Sequence, residues 1–491
     1  MITACTSSLD QNPLDQISSS NFWKSKNDFN QALAACYASM QEAEFAVELP
    51  VWDCLTDNGY AQHNSGSAKE IVSGSISPSS GGLITELYKD CYSGIARVNL
   101  FLQQLAQYSG QDITADDKKR YEGEVRFLRA FYYFELYHRY GDVPLVLEPL
   151  TLETQQQAKV PAAEILDQVL SDLDFSIANL NTAAYFSNGG HASASSAQAL
   201  KARVLIFAAY GSTGVPDPAL LTQVRDLAQQ IQALYSLSPN FEDVFRDASQ
   251  KNNPEIIFSV NFLAPNNTAP WDMYYGDWIV ASPLQNFVNA FECADGKPIT
   301  ESPLYNSAQP FENRDPRLKK TVFADHPDFG NGKTHTPSNS RPTGYGVMKF
   351  LVPENIPYGF STLSQQNAVV LRLGEVMLMY AEAQNELAGP DASVYKAIND
   401  LRARVGMPPL PEGLSKEQMR ERIRHERRIE LAFEGLRYFD LIRWHIAGQV
   451  LNNVTDGLLP YHFEDKFYRW PLPRPEIDKS GGVLVQNPDY Q

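Results

Sequence analysis

The run TADDKKRYEGEVRFLRAFYYFELYHRYGDVPLV, Thr114–Val146, decides the fold. Thr114 with Asp117 three residues later has the spacing of a helix N-terminal cap, and Gly141 followed by Pro144 marks a stop. Between these signals Phe127, Phe131 and Phe134 fall on one helical face, while Val125, Leu128, Tyr132 and Leu136 fall on another. A helix on a protein surface needs one apolar stripe; a helix apolar on two sides is sandwiched between neighbours. The chain is therefore expected to be built from stacked helices.

Working outward, helical periodicity covers Lys24–Glu48, Leu83–Leu105, Ala162–Leu180, Ser195–Ala209 and Pro218–Leu234. It resumes at Ala368, where Val370, Leu373, Met377, Tyr380 and Ala381 form a stripe ended by Gly389–Pro390. A short loop then leads to a helix over Val394–Arg404, and short loops favour antiparallel hairpins. Small residues at contact points (Ala199, Ala202, Ala209, Ala381, Ala383) suggest tetratricopeptide-like pairs, although the strict repeat consensus is absent. Between about residues 236 and 366 the helical period disappears. That segment is rich in Pro, Gly, Asn and aromatics, with one strand-like run, PEIIFSVNF, and its aromatic content argues for order. The expected fold class is all-α dominated, a tetratricopeptide-like helical-repeat scaffold carrying a loop-rich ligand-binding lobe. Its parts are an N-terminal segment (1–20), a helical-repeat part (21–235) with an irregular Gly/Ser-rich binding loop near 50–82, the lobe (236–366), and a C-terminal helical part with its tail (367–491). Together they are expected to form one unit.

Composition narrows the function classes. A formal charge of −17 argues against a nucleic-acid binder, whose phosphate ligand demands a basic surface. No apolar run is long enough to span a bilayer. H-E-x-x-H, G-x-S-x-G, phosphate-loop and dinucleotide motifs are absent, and no cofactor is expected. Asp53, Asp57 and Asn58 do not keep the spacing of a calcium loop and are better read as a capped turn than as a metal site. The opening MITAC places small residues before Cys5, as in a bacterial lipoprotein cleavage box, though without the preceding signal region. Cys36, Cys54, Cys91 and Cys293 match no zinc spacing, and both a disulfide and free thiols stay open.

RIRHERRIELAFEGLRYFDLIRW, Arg422–Trp444, interleaves six arginines, three glutamates and an aspartate with apolar residues. As a helix it sets Arg427 beside Glu430, and Glu434 beside Glu430 and Arg437, with Ile429, Phe433 and Leu436 pointing inward. Charges so placed are partly buried and need partners. A catalytic group of His425, Glu426, Glu430 and Asp440 is the competing reading. The residue types fit helix clamping without any cleft, so a structural network including Asp440 is preferred. Arg126, Arg129, Arg372 and Glu375 are read the same way.

Several segments together resemble the SusD/RagB family of nutrient-binding outer-membrane lipoproteins. They are LDQNPLDQISSSNFW after Cys5, EVRFLRAFYYFELYHRYGDVPLV, NPEIIFSVNF, RDPRL (Arg314–Leu318), LRLGEVMLMYAEAQNEL, the arginine-rich run, and YRWPLPRPEI…QNPDY. Their order and spacing carry the resemblance along the whole chain; the tail departs in lacking an Asn-Pro soon after the Glu-Ile pair. The resemblance implies a helical tetratricopeptide-type body, a looped binding face, a lipid on Cys5 and a cell-surface position on the outer membrane of a Gram-negative bacterium. It also implies a SusC-like TonB-dependent transporter as partner, and a binder of oligosaccharide, or in some branches peptide, with no catalytic role. A helical glycoside hydrolase and a cytoplasmic scaffold are the rivals from other classes.

A sugar offers a C–H face that lies on aromatic rings and a rim of hydroxyls that need paired donors and acceptors. PWDMYYGDW meets that demand with Trp271, Asp272, Tyr274, Tyr275 and Trp278. VWDCLTDNGY offers Trp52, Asp57, Asn58 and Tyr60 in the same style, and Tyr345 in TGYGV is a further candidate. The alternative for each ring is to plug a lobe that lacks helices of its own.

Overall fold

A computed structural model describes residues 22–324, 329 and 332–491; Cys5 and the 1–20 segment lie outside the described residues. The chain is mostly helical. Its long helices are α1 (Lys26–Ala38), α2 (Leu83–Gln107), α3 (Ala115–Tyr140), α4 (Ala162–Asn179), α5 (Ala194–Tyr210), α6 (Pro218–Gln232), α7 (Leu373–Ala388), α8 (Ala392–Arg404) and α9 (Lys416–Glu430).

Helix α3 is the centre of the first half. Thr114 caps it, its Oγ1 accepting from the Asp117 N–H at 3.0 Å, and Gly141 ends it at φ +76°. Val125, Phe127, Leu128, Phe131, Tyr132, Phe134 and Leu136 are all buried, as a helix apolar on two faces requires. It packs on α2 on one side and α4 on the other. Each later helix then packs on the one before it, α4 on α5 and α5 on α6. The stack does not stop at α6. Helix α6 lies against α7, which packs on α8 and α9, so the two halves of the chain form one run of paired helices.

The segment between α6 and α7 is thus an insertion into the stack. Its entry strand, Ile256–Val260, pairs antiparallel with its exit strand, Ala368–Arg372, which closes the neck of the lobe. A second short pair joins Gly59–Ala61 to Ala281–Pro283 and brings the loop near residue 60 onto the lobe.

Two local expectations are corrected. The first helix ends at Ala38, because Glu42 turns extended (φ −56°, ψ 147°) and short 3₁₀ turns replace the helix through Phe45. Ala368–Arg372, read as the start of a helix, is a strand; pairing with Ile256–Val260 overrides the local stripe, and α7 begins at Leu373.

Candidate functional site

The charged residues sort into buried cross-links between elements. Glu430 is fully buried; its carboxylate lies 2.8 Å from Arg372, 2.9 Å from Arg317 and 2.5 Å from Arg404. Glu434 takes Arg372 at 2.7 Å and Lys349 at 2.5 Å, and Arg372 also holds Glu255 at 2.8 Å. Arg427 grips both oxygens of Asp440 at 2.9 Å, and Arg437 takes Asp57 at 3.0 Å. The neighbour pairs read along one helix, Arg427 with Glu430 and Glu434 with Arg437, are therefore corrected. The helix ends at Glu430, and Phe433 and Gly435 take positive φ, so later side chains point to other elements. Arg129 forks onto Asp172 with both contacts at 2.8 Å, Arg126 reaches the same Asp172 at 3.4 Å, and Glu375 takes Arg203.

The environment fixes the protonation state of Glu430 and His425. Burial alone would raise the Glu430 carboxyl, but Arg404, Arg372 and Arg317 hold it well below the usual range. Burial and the neighbouring arginines Arg422 and Arg428 push His425 down to about 3, so the imidazole is neutral. Glu426 is buried against Arg317 and Arg402. The arginine Arg317 comes from RDPRL, and Glu255 and Lys349 from the lobe; sequence spacing does not reveal such distant partners.

The aromatic segments divide by exposure. Trp52 is buried, stacked on Trp470 at 5.7 Å and 16° beneath the Arg139 guanidinium, with its N–H donated to the Glu44 carbonyl at 3.1 Å. Asn58 is buried between Asp53 (2.8 Å) and Arg428 (2.8 Å), and Asp57 is bound by Arg428 and Arg437. Burial would raise Asp57, but these arginines hold it down to about 2. Asp53 accepts from the Phe433 and Gly435 N–H groups at 3.0 Å, which makes this loop a buried hub. The reading of Trp52, Asp57 and Asn58 as ligand contacts is therefore corrected: Trp52 is enclosed by Trp470, Arg139 and Phe439, and the arginine-rich segment holds Asp57 and Asn58.

The same correction applies to three of the five candidates in PWDMYYGDW. Trp271 is buried and stacked on Phe350 at 4.9 Å and 28°, and Tyr275 is buried with its hydroxyl donated to Val47 O at 2.5 Å. Asp272 is buried and accepts from Val352 N, Asn355 Nδ2 and Ser364 Oγ at 2.7–2.8 Å. Residues Asp272–Asp277 form a π-helix, a widened winding common at functional sites. Its inner face carries Trp271 and Tyr275, and its outer face carries Tyr274 and Trp278.

Tyr274 and Trp278 remain partly exposed and lie nearly parallel, ring centres 6.0 Å apart at 9°. Phe360, 81% exposed, stands perpendicular to Trp278 at 5.2 Å and 82°. His63 approaches from the other loop, 6.3 Å from the Trp278 ring and 3.2 Å from its carbonyl. His63 and Asn64 take left-handed φ values of +60° and +55°, and Ile279 sits at +54°, a strained region for a β-branched residue worth about 1–3 kcal/mol. Strain of this kind clusters at binding surfaces. Tyr60 is half-buried with the Lys69 ammonium 5.7 Å over its ring, and Tyr345 is half-buried with its hydroxyl donated to Gln285 at 2.7 Å. Phe360 and His63 were not singled out by sequence; PYGF carries Tyr358 and Phe360 on a loop without periodic spacing, and the approach of Phe360 to Trp278 is tertiary.

Among the described residues, no cluster of three or more His, Cys, Asp or Glu is arranged to hold a metal, and no helix is long and apolar enough to cross a membrane. Cys36, Cys54, Cys91 and Cys293 are free and buried.

Comparison with known proteins follows from this geometry. A model of the SusD family matches residues 242–490, and one described as "Starch-binding associating with outer membrane" matches residues 9–206. SusD-like protein P2 of Formosa agariphila is 25% identical over 520 residues, covering 99% of this chain and 96% of the relative. A SusD-like protein from Bacteroides fragilis superposes with TM-score 0.80 at 27% identity, covering 98% of this chain and all of that one. A SusD-like carbohydrate binding protein from the same species gives TM-score 0.82 at 24% identity, with 96% and 100% covered.

Proposed function

The chain belongs to the SusD family, and from that premise we propose that it is a non-catalytic, cell-surface glycan-binding subunit that delivers oligosaccharide to a SusC-like TonB-dependent transporter. The observation that carries this reading is the outward aromatic surface of Tyr274, Trp278 and Phe360, two rings parallel and one upright. Such a surface suits the flat C–H face of a sugar ring, with His63 and the Tyr274 hydroxyl at its rim for the hydroxyls. The related protein described as carbohydrate binding and the starch-binding family description support the same cargo class. Outer-membrane association follows the family description, and in this proposal a lipid on Cys5 supplies the anchor. Glu426 and Glu430, the carboxylates of the arginine-rich helix, are committed to arginines, which supports binding over hydrolysis.

The test is titration of the purified protein with maltoheptaose, laminarihexaose and xylohexaose beside a panel of short peptides, in wild type and in Trp278→Ala/Phe360→Ala. We expect one glycan to bind and the double variant to lose that affinity with an unchanged melting temperature. Binding that survives the double variant, binding of peptides alone, or new reducing ends released from the glycan would reject the reading.

A further inference from the structure

The segment that carries Phe360 continues through Ser364–Asn367 into a second concavity. Tyr185, Phe186 and Gly190 line one side, and Gln250, Gln365 and Asn367 the other, around a volume of about 550 Å³. That falls in the range of small-ligand sites, roughly 300–1,000 Å³. A smaller hollow of about 260 Å³ shares Gly189, Gly190, Ser259 and Asn261 with it and adds Tyr37, Gln41 and Asn267, so the two form one trough.

Asp247 and Lys251 line the larger hollow and His191 the smaller. Between these groups the trough presents a set of amides held largely by the backbone, with Gln365 Nε2 also donating to Asp247 at 3.1 Å. Gln250 and Asn367 exchange side-chain and main-chain bonds at 2.9 and 2.8 Å, and Asn367 Oδ1 accepts from Phe262 N at 2.9 Å. Gln365 Oε1 accepts from Ala264 N at 3.1 Å. These contacts fix the carbonyl ends of the amides. The Asn367 Nδ2 group and the exposed Asn267 side chain have no hydrogen-bond partner among the described residues. Prefixed neutral amides beside Tyr and Phe rings are the chemistry that hydroxyl-bearing ligands require. A peptide would instead add to the edge of the Ile256–Val260 strand. There, hydroxyls of Ser196 and Tyr185 already occupy the Ile257 and Ser259 carbonyls, at 2.7 and 3.2 Å, and the Gln41 amide takes Asn261 O at 2.7 Å.

We propose that this trough is a second subsite for a glycan chain, engaged by the same molecule that stacks on Trp278 and Phe360; it rests on the glycan-binding reading above. Phe360 and Gln365 are five residues apart, at most about 18 Å of extended chain, so one oligosaccharide can span both. Ser364 ties the two regions rigidly, its carbonyl accepting from Ala269 N at 3.1 Å and its hydroxyl donating to Asp272 at 2.7 Å. Two linked weak sites raise the apparent affinity for long chains without altering that for short ones.

The experiment compares wild type, Asn261→Ala/Asn267→Ala and the blocking variant Ala34→Trp, whose exposed alanine lines the smaller hollow. Soluble starch, laminarin and xylan are the polysaccharide probes, and the corresponding disaccharides the short ones, with melting temperature as the folding control. We expect both variants to lose at least about tenfold in affinity for the retained polysaccharide and to keep wild-type affinity for its disaccharide. Wild-type affinity for the polysaccharide in both folded variants would overturn the second subsite while leaving the Trp278 surface intact. Equal losses for disaccharide and polysaccharide would also overturn it, since the trough would then not be separate. Loss of binding to tryptic peptides instead would reassign the trough to peptide. If wild type retains no glycan, the functional reading and this inference fall together.

Discussion

Glu430→Gln tests whether the arginine-rich segment is a framework. The substitution keeps shape and removes one charge from a fully buried carboxylate that faces Arg317, Arg372 and Arg404. The amide also turns an N–H toward guanidinium donors, so part of the network is left unsatisfied. Breaking a buried ion pair from one side costs about 3–5 kcal/mol. The unfolding entropy of about 2.1 cal/mol/K per residue gives roughly 1 kcal/mol/K for a chain of 491 residues. The melting temperature should therefore fall by about 3–5 °C if the helical stack unfolds as one unit. Calorimetry on wild type, Glu430→Gln and Trp278→Ala measures it, with glycan titration on the same samples. The reasoning is refuted if Glu430→Gln melts like wild type yet loses ligand, because the carboxylate would then belong to a site.

Two further outcomes separate neighbouring residues. Trp271→Ala should cost about 3–5 kcal/mol in a denaturant titration, since it empties a buried site against Phe350, whereas Trp278→Ala should stay near wild type; equal stabilities would place Trp271 at the surface. Glu44 is pushed up to about 8 by burial and by its hydrogen bond with Asp90, so the folded state keeps a proton that the unfolded chain releases near pH 4.5. Stability contributed by this group is lost as pH rises between those values. Glu44→Gln, which cannot ionise, should melt above wild type at pH 8 and approach it at pH 5; a constant gap across that range would show that the carboxyl does not titrate there.

Phe360 and the trough amides show where reading along the chain stops. PYGF carries no periodic signal, and the residues of the trough come from positions 34 to 41, 185 to 191, 247 to 267 and 365 to 367, which the closure of the lobe neck and packing of the first helix bring together. In PWDMYYGDW, composition singled out a segment in which Trp271 and Trp278 are chemically alike. Which of them faces solvent follows from the π-wound backbone and from Phe350 and Val47 arriving behind it.

By itself, the sequence determined the helices whose ends carry caps, because apolar spacing and caps act within a few residues: Thr114 and Gly141 bound α3 where the chain says they should. It also determined that the charges of Arg422–Trp444 are paired, since apolar neighbours force them inward. The choice of partner was decided by tertiary structure. Glu430 looks local to Arg427 at a spacing of three, yet its partners lie at Arg317, Arg372 and Arg404. A buried charge goes to whichever opposite charge shares its low-dielectric space, and that neighbour is set by packing across the stack rather than by distance along the chain.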